Sequence, residues 1–323
     1  MNRLTGACRG AGLWGPLLPR FVSTSSAPPL LALDTVRSDT LGTKNEPATW
    51  VWLHGVLGQG RNWKSFGKRF ASLAEAKLNR PVVCKLVDLR CHGDSARVEG
   101  LREGPHTLKE AAKDVIETIQ AEIGREGGSF DGFVGHSLGG KVVLSALDEL
   151  KGRNNTLLPK SAWVLDSMPN AAQGELVGDT ESILERLAGV DLGKFEKQSQ
   201  VIDHLTSSLG MSAPIAQWIC SSLDTSKGAG HLKWKFNLEG CRDLFRDFKT
   251  RDLMPVVRDP PGGTAIHFVK AERSARLGSV QDELLALSED PRHSLTFHVL
   301  EKAGHWLHVD NPSGLVKLMI STL

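Results

Sequence analysis

The chain has 323 residues, 40% of them hydrophobic and 24% charged, with a formal net charge of +2. That is enough apolar material for a large core in one α/β domain or two average ones. No long basic run and no interleaving of aromatic with basic residues is present, which sets nucleic acid aside as a partner. No stretch of about 18 uninterrupted apolar residues offers a membrane span. Tyrosine is absent, so no tyrosine can serve as acid or nucleophile. The five cysteines (Cys8, Cys84, Cys91, Cys220, Cys241) are odd in number, scattered, and form no C-x-x-C. They argue against a disulfide framework or a zinc site and for a reduced compartment.

Residues 1–33 differ from the rest. They carry Arg3, Arg9 and Arg20, no acidic residue, and the run Ser23-Thr24-Ser25-Ser26. This is the character of an organelle transit peptide, and Arg20-Phe21-Val22-Ser23 suits mitochondrial processing, with a plastid as the alternative. Arg9 and Pro16 interrupt the apolar core that a secretory signal needs. A disordered N-terminus is the plainer reading of the same residues.

From residue 34 the pattern predicts a single α/β domain. Leu30–Val36 reads as an edge strand, and Trp50–Leu53 as a short strand running into His54-Gly55-Val56-Leu57-Gly58. A helix is predicted over Trp63–Lys77, and Pro81–Val87 reads as a buried strand ending at Asp88. Thr107-Leu108-Lys109-Glu110 is a capping box, with Leu108, Ala111, Val115, Ile119 and Ile123 on one apolar helical face. Phe130–Val134 and Ser161–Leu165 are further strands, the second ending at Asp166. Residues 168–249 break the alternation and read as an inserted helical cap, with a strand at Lys233–Asn237. Strands at Ala265–Val269 and Leu295–Leu300, a helix at Val280–Leu287 and a terminal helix from Pro312 complete the chain. Alternating strands and helices predict a mostly parallel sheet with helices on both faces, and ligands then bind at the carboxyl ends of the strands.

Gly135-His136-Ser137-Leu138-Gly139 lies between a strand and a helix and satisfies G-x-S-x-G. A serine on so tight a turn is strained, and residues two before and two after must be small. Two rival readings share these residues. One is an ordinary Gly-rich βα turn. The other is the phosphate loop G-x-x-x-x-G-K-[ST], which fails at Val142 for want of a hydroxyl.

A nucleophilic serine needs a base, an orienting acid and an oxyanion hole. His305 follows the last strand, in the order Ser…Asp…His. Asp166 ends the strand after the serine unit and is the preferred acid. The more usual acid position reads Lys270-Ala271-Glu272-Arg273-Ser274 and holds no aspartate. Glu272, Ser274 (as a relay) and Glu239 in the cap therefore stay open. The Val56 and Leu138 amides are the candidate oxyanion donors, and such a mechanism needs neither cofactor nor metal.

His54-Gly55-x-x-Gly58 with Asn62, Asp88-x-Arg90-x-His92-Gly93-x-Ser95, Gly135-His136-Ser137-x-Gly139-Gly140-Lys141 and Gly304-His305-Trp306-x-His308 stand in this order. Together, over residues 45–323, they resemble the α/β-hydrolase superfamily, in particular a eukaryotic branch with bacterial short-chain esterase relatives. The resemblance implies a serine hydrolase of small-molecule esters or acyl lipids under a helical cap, in a group whose eukaryotic members are typically mitochondrial. It implies an acid matching Asp166 assisted by Ser274, or one matching Glu239, and departs from the pattern at Lys270–Ser274, where relatives carry Gly-Gly-Asn-Ser. The Asp88-to-Gly93 motif is expected to brace the active-site loops. Thioesterase, acyltransferase and C–C hydrolase chemistry would use the same residues, and a non-catalytic binding member is the remaining alternative. Leu209, Ile215, Trp218, Leu223 and Phe236 suggest an apolar cap. Oligomeric state is not legible.

Overall fold

A computed structural model describes residues 28–38, 45–152, 157–171, 178–225, 232–278 and 280–323. Residues 1–27, most of the expected presequence, lie outside this set. The folded body begins before residue 34. Leu31 is buried, its amide donates to Thr118 Oγ1, and the Ala32 amide donates to Ser95 Oγ.

Seven strands form one sheet: β1 (Leu33–Arg37), β2 (Ala48–Leu53), β3 (Val82–Val87), β4 (Ser129–His136), β5 (Ser161–Leu165), β8 (Ala265–Ala271) and β9 (Leu295–Leu300). Their order across the sheet is β1-β3-β2-β4-β5-β8-β9. All neighbours run parallel except the edge pair β1–β3. Alternate residues of each inner strand feed two separate cores, as a pleat buried on both faces requires. In β2, Trp50 and Trp52 pack on one side with Trp63, Phe66 and Phe70, whereas Val51 and Leu53 pack on the other with Phe133, Val142 and Val143.

The flanking helices follow the sequence pattern. Helix α1 (Lys64–Leu78) covers the tryptophan face, and α2 (Leu108–Glu126) and α3 (Leu138–Leu150) cover the other. Thr107 Oγ1 accepts the Glu110 amide at the start of α2, satisfying one of the orphan N–H groups of a helix N-terminus. Helix α9 (Gln281–Glu289) precedes β9. After it, α10 (Leu307–Asp310) leads to the terminal α11 (Pro312–Ser321), whose Asn311 cap accepts the Gly314 amide.

Between β5 and β8 the chain leaves the sheet for the cap, α4 (Gly178–Ala188), α5 (Gln198–Ser207), α6 (Ala213–Cys220) and α7 (Leu238–Thr250), and the short α8 (Met254–Arg258) then leads back toward β8. The strand expected at Lys233–Asn237 shrinks to β7 (Lys233–Trp234), paired with β6 (Leu223–Asp224). Phe236 leaves the ladder to stack on Trp234. Among the described residues no helix is long and apolar enough to cross a membrane.

Candidate active site

Four of the six non-glycine residues with positive φ among the described residues lie just beyond the carboxyl ends of β2, β3, β4 and β5. Leu57, Cys91, Ser137 and Asp166 all have positive φ without being glycine, a conformation that L-residues adopt only when their surroundings impose it. Ser137 has φ 53° and ψ −117°, a strain of order 1–3 kcal/mol. Its amide donates to the Leu165 carbonyl on the neighbouring strand at 3.0 Å. The glycines on either side are sterically obligatory. A Cβ on Gly135 would fall on the Gly139 carbonyl, and one on Gly139 would stand 2.7 Å from the Leu53 and His54 carbonyls.

Asp166 is fully buried at the end of β5. Its amide donates to the Val269 carbonyl, Oδ1 accepts the Ala271 amide at 3.2 Å, and Oδ2 accepts His305 Nδ1–H at 2.7 Å. That bond leaves Nε2 of the neutral imidazole as its unprotonated nitrogen. Burial pushes the His305 pKa below its ordinary value of 6.5; the Asp166 hydrogen bond pulls it up and the Arg276 charge pulls it down. At neutral pH the ring is therefore a free base.

Ser137 and His305 line one cavity of about 370 Å³ together with Gly55 and Val56. A Cβ on Gly55 would lie 3.3 Å from Ser137 Cβ, a tight contact, so glycine lets the β2 loop approach the serine without crowding it. The Leu57 amide is committed to His92 Nε2 at 2.9 Å, which leaves Val56 as the candidate donor of that turn. Leu138 stands at the first position of α3, where a helix N–H lacks an intrahelical acceptor and the dipole favours negative charge. Of the expected cap residues, Ile215 and Trp218 reach the cavity, joined by Ile183. Leu209, Leu223 and Phe236 pack into the core instead.

The alternative acids lie elsewhere. Glu239 is exposed on the first turn of α7 and pairs with Arg242 at 3.1 Å. Glu272 is exposed, and Oε2 accepts the Lys302 amide at 2.7 Å. Ser274 Oγ accepts the Arg276 amide at 3.4 Å. Neither Ser274 nor either glutamate lines the cavity.

The Asp88-to-Ser95 motif is a brace. Asp88 Oδ1 accepts the Gly60 amide at 2.6 Å and Oδ2 the Asp94 amide at 2.8 Å. Arg90 forks onto Asp114 at 2.6 and 3.0 Å. His54 and His92 each accept a backbone amide at Nε2 and donate from Nδ1 to a carbonyl, and burial lowers their pKa values to about 4 and about 3. Lys141 does not face the cavity, as a phosphate loop would demand. Its buried ammonium meets the carbonyls of Asn170, Phe248 and Arg251 at 2.7, 2.5 and 2.9 Å.

Sequence reasoning missed two contributors. His136 donates Nε2–H to the His305 carbonyl at 2.6 Å. Arg276 lines the cavity from the loop after β8, at a position where no pattern in the sequence marks it.

Sheet order, strained serine turn and capped cavity define an α/β-hydrolase. The chain belongs to that family: a model described as the alpha/beta hydrolase family matches residues 50–318. It is similar to the mouse sn-1-specific diacylglycerol lipase ABHD11, 24% identical over 277 residues that cover 84% of this chain and 80% of that protein. It is also similar to esterase YbfF of Escherichia coli K12, 22% identical over 286 residues covering 87% and 95%. Among solved structures, a marine microorganism esterase superposes with a TM-score of 0.68 at 21% identity, covering 91% of this chain and all of that one.

Proposed function

We propose that the protein hydrolyses carboxylic esters of small molecules or acyl lipids through an acyl-enzyme on Ser137. The observation that carries this reading is the 2.7 Å bond from His305 Nδ1 to buried Asp166 Oδ2, with His305 and Ser137 lining the same cavity. Nε2 of His305 takes the Ser137 proton as Oγ attacks the ester carbonyl. Asp166 fixes the tautomer and stabilises the imidazolium, and the Val56 and Leu138 amides hold the oxyanion. Collapse expels the alcohol, protonated by His305, and water repeats the sequence on the acyl-enzyme. The esterase- and lipase-named relatives favour this reading.

The test is hydrolysis of p-nitrophenyl esters of graded acyl length by wild type and Ser137→Ala, with a fluorophosphonate probe alongside. Activity and labelling lost together in Ser137→Ala support the reading. A wild type inert to every ester and to the probe refutes it and turns attention to a non-catalytic binding role.

We further infer a mitochondrial presequence, removed near Arg20–Ser23, and a cap bounded roughly by residues 168 and 249. The arginine-rich, acid-free N-terminus and the burial of Leu31 favour cleavage upstream of the folded body. N-terminal sequencing of the protein recovered from cells tests this.

A further inference from the structure

The cavity above Ser137 is walled by Leu57, Ile183, Ile215 and Trp218, yet Arg276 also lines it. A guanidinium keeps its charge at every accessible pH. This one is half-buried, and burial is the main influence lowering its pKa. Among the described residues it forms no ion pair. The two carboxylates whose fields it feels are Asp166 and Asp179. Asp166 is committed through both oxygens, to His305 and to the Ala271 amide. Asp179 lines the same cavity but is exposed and makes no ion pair with the guanidinium among the described residues, so solvent screens its charge.

The position is unfavourable on two counts. A cation in an apolar wall is costly unless it is compensated. It also opposes the imidazolium that His305 becomes during catalysis, since the Arg276 charge acts against protonation of that ring. An anion bound at Arg276 would remove both penalties. A neutral acyl chain would remove neither.

We propose that Arg276 is a specificity-determining residue that receives a second, anionic group of the ester attacked by Ser137. That group is a carboxylate or a phosphate, held by the forked N–H donors of the guanidinium. The inference rests on the ester-hydrolase reading and narrows it to esters that carry their own negative charge close to the scissile bond. Two sources share this chemistry: half-esters of dicarboxylic acids and acylated glycerol phosphates. Because the bound anion also offsets the field on His305, its benefit falls on kcat as well as KM.

The experiment compares matched pairs on the full chain: p-nitrophenyl hydrogen glutarate against p-nitrophenyl pentanoate, and an acylglycerol 3-phosphate against the same monoacylglycerol. Wild type is expected to favour the anionic member of one pair by roughly 10- to 100-fold in kcat/KM, and which pair responds identifies the source. Arg276→Gln should bring that ratio close to one, and Arg276→Lys should keep part of it. The ratio cancels any general damage to the enzyme. A ratio that is the same in wild type and Arg276→Gln, or a preference for the neutral member in both pairs, overturns the proposal. If wild type hydrolyses neither member of either pair, it is the ester reading that fails. Calorimetric titration of Ser137→Ala with glutarate and with glycerol 3-phosphate then decides the anion site separately. Binding that disappears on adding Arg276→Gln sustains it, and no binding to either ligand overturns it.

Discussion

His136, the residue immediately before the strained serine, donates its Nε2–H to the main-chain carbonyl of His305 at 2.6 Å. The two rings lie 4.6 Å apart. The serine turn and the loop carrying His305 are thus tied directly to each other, although 169 positions of sequence separate them. Burial holds His136 far below the ordinary histidine pKa, so the donor persists across the physiological range. His136→Phe keeps the volume and loses the bond. It is expected to lower kcat by about 10- to 100-fold with a smaller effect on KM, as misplacing a catalytic group by a fraction of an ångström does. Steady-state kinetics, with circular dichroism to verify folding, checks this.

The acid can be assigned by a pair of substitutions. Asp166→Asn retains the shape but reverses the preference for the Nδ1–H tautomer, and a loss of roughly 10³- to 10⁴-fold in kcat is expected. Glu239→Gln touches an exposed side chain paired with Arg242 and should change kcat by less than about twofold, since exposed pairs contribute at most ~1 kcal/mol. The opposite ranking of the two variants would move the acid to the cap.

What the sequence made legible was local chemistry at strand ends. The serine turn and its flanking glycines follow from constraints within a few residues, whereas Asp166 and His305 were candidates from their places at strand ends and their order along the chain, with Glu272, Ser274 and Glu239 left open beside Asp166. The cap was legible only as an interruption. Its helices are short, and the β6–β7 ladder is too small for a period-2 signal. Arg276, His136 and the real role of Lys141 were hidden because each is defined by groups more than 25 residues away: the cavity that Arg276 lines, the His305 carbonyl, and the carbonyls around Lys141. Lys141 fitted a phosphate-loop pattern by spacing, and only the three-dimensional position of Asn170, Phe248 and Arg251 shows what its charge is for.

On the proposed mechanism the acid limb of the pH–rate profile reports His305 in the free enzyme. Its folded pKa lies below 6.5, chiefly through burial. kcat/KM for a neutral ester should therefore fall only as pH drops below that value, and be flat at neutrality. Arg276 lowers this pKa, so Arg276→Gln should move the limb toward higher pH. A limb that stays in place would mean that the guanidinium does not act on His305.

Lys141 joins both ends of the cap to the sheet. Its ammonium has three N–H donors, and three carbonyls receive them: Asn170 just after β5, Phe248 on the last turn of α7 and Arg251 just beyond it. The Nζ also lies 4.6 Å from the centre of the Phe248 ring. Lys141→Met fills similar space but leaves three carbonyls without a donor at a buried junction. The expected cost is about 2–4 kcal/mol in urea-induced unfolding, because charge-assisted bonds are lost and acceptors stay desolvated. Partial unfolding should start at the cap, whose two connections to the sheet meet at this side chain, with the hydrogen bond from the Leu253 amide to the Pro169 carbonyl as a second tie between them. Limited proteolysis of the variant is therefore expected to cut first near residues 168–171 or 249–253. Cleavage distributed evenly over the sheet and cap would show that the ammonium does not anchor the cap.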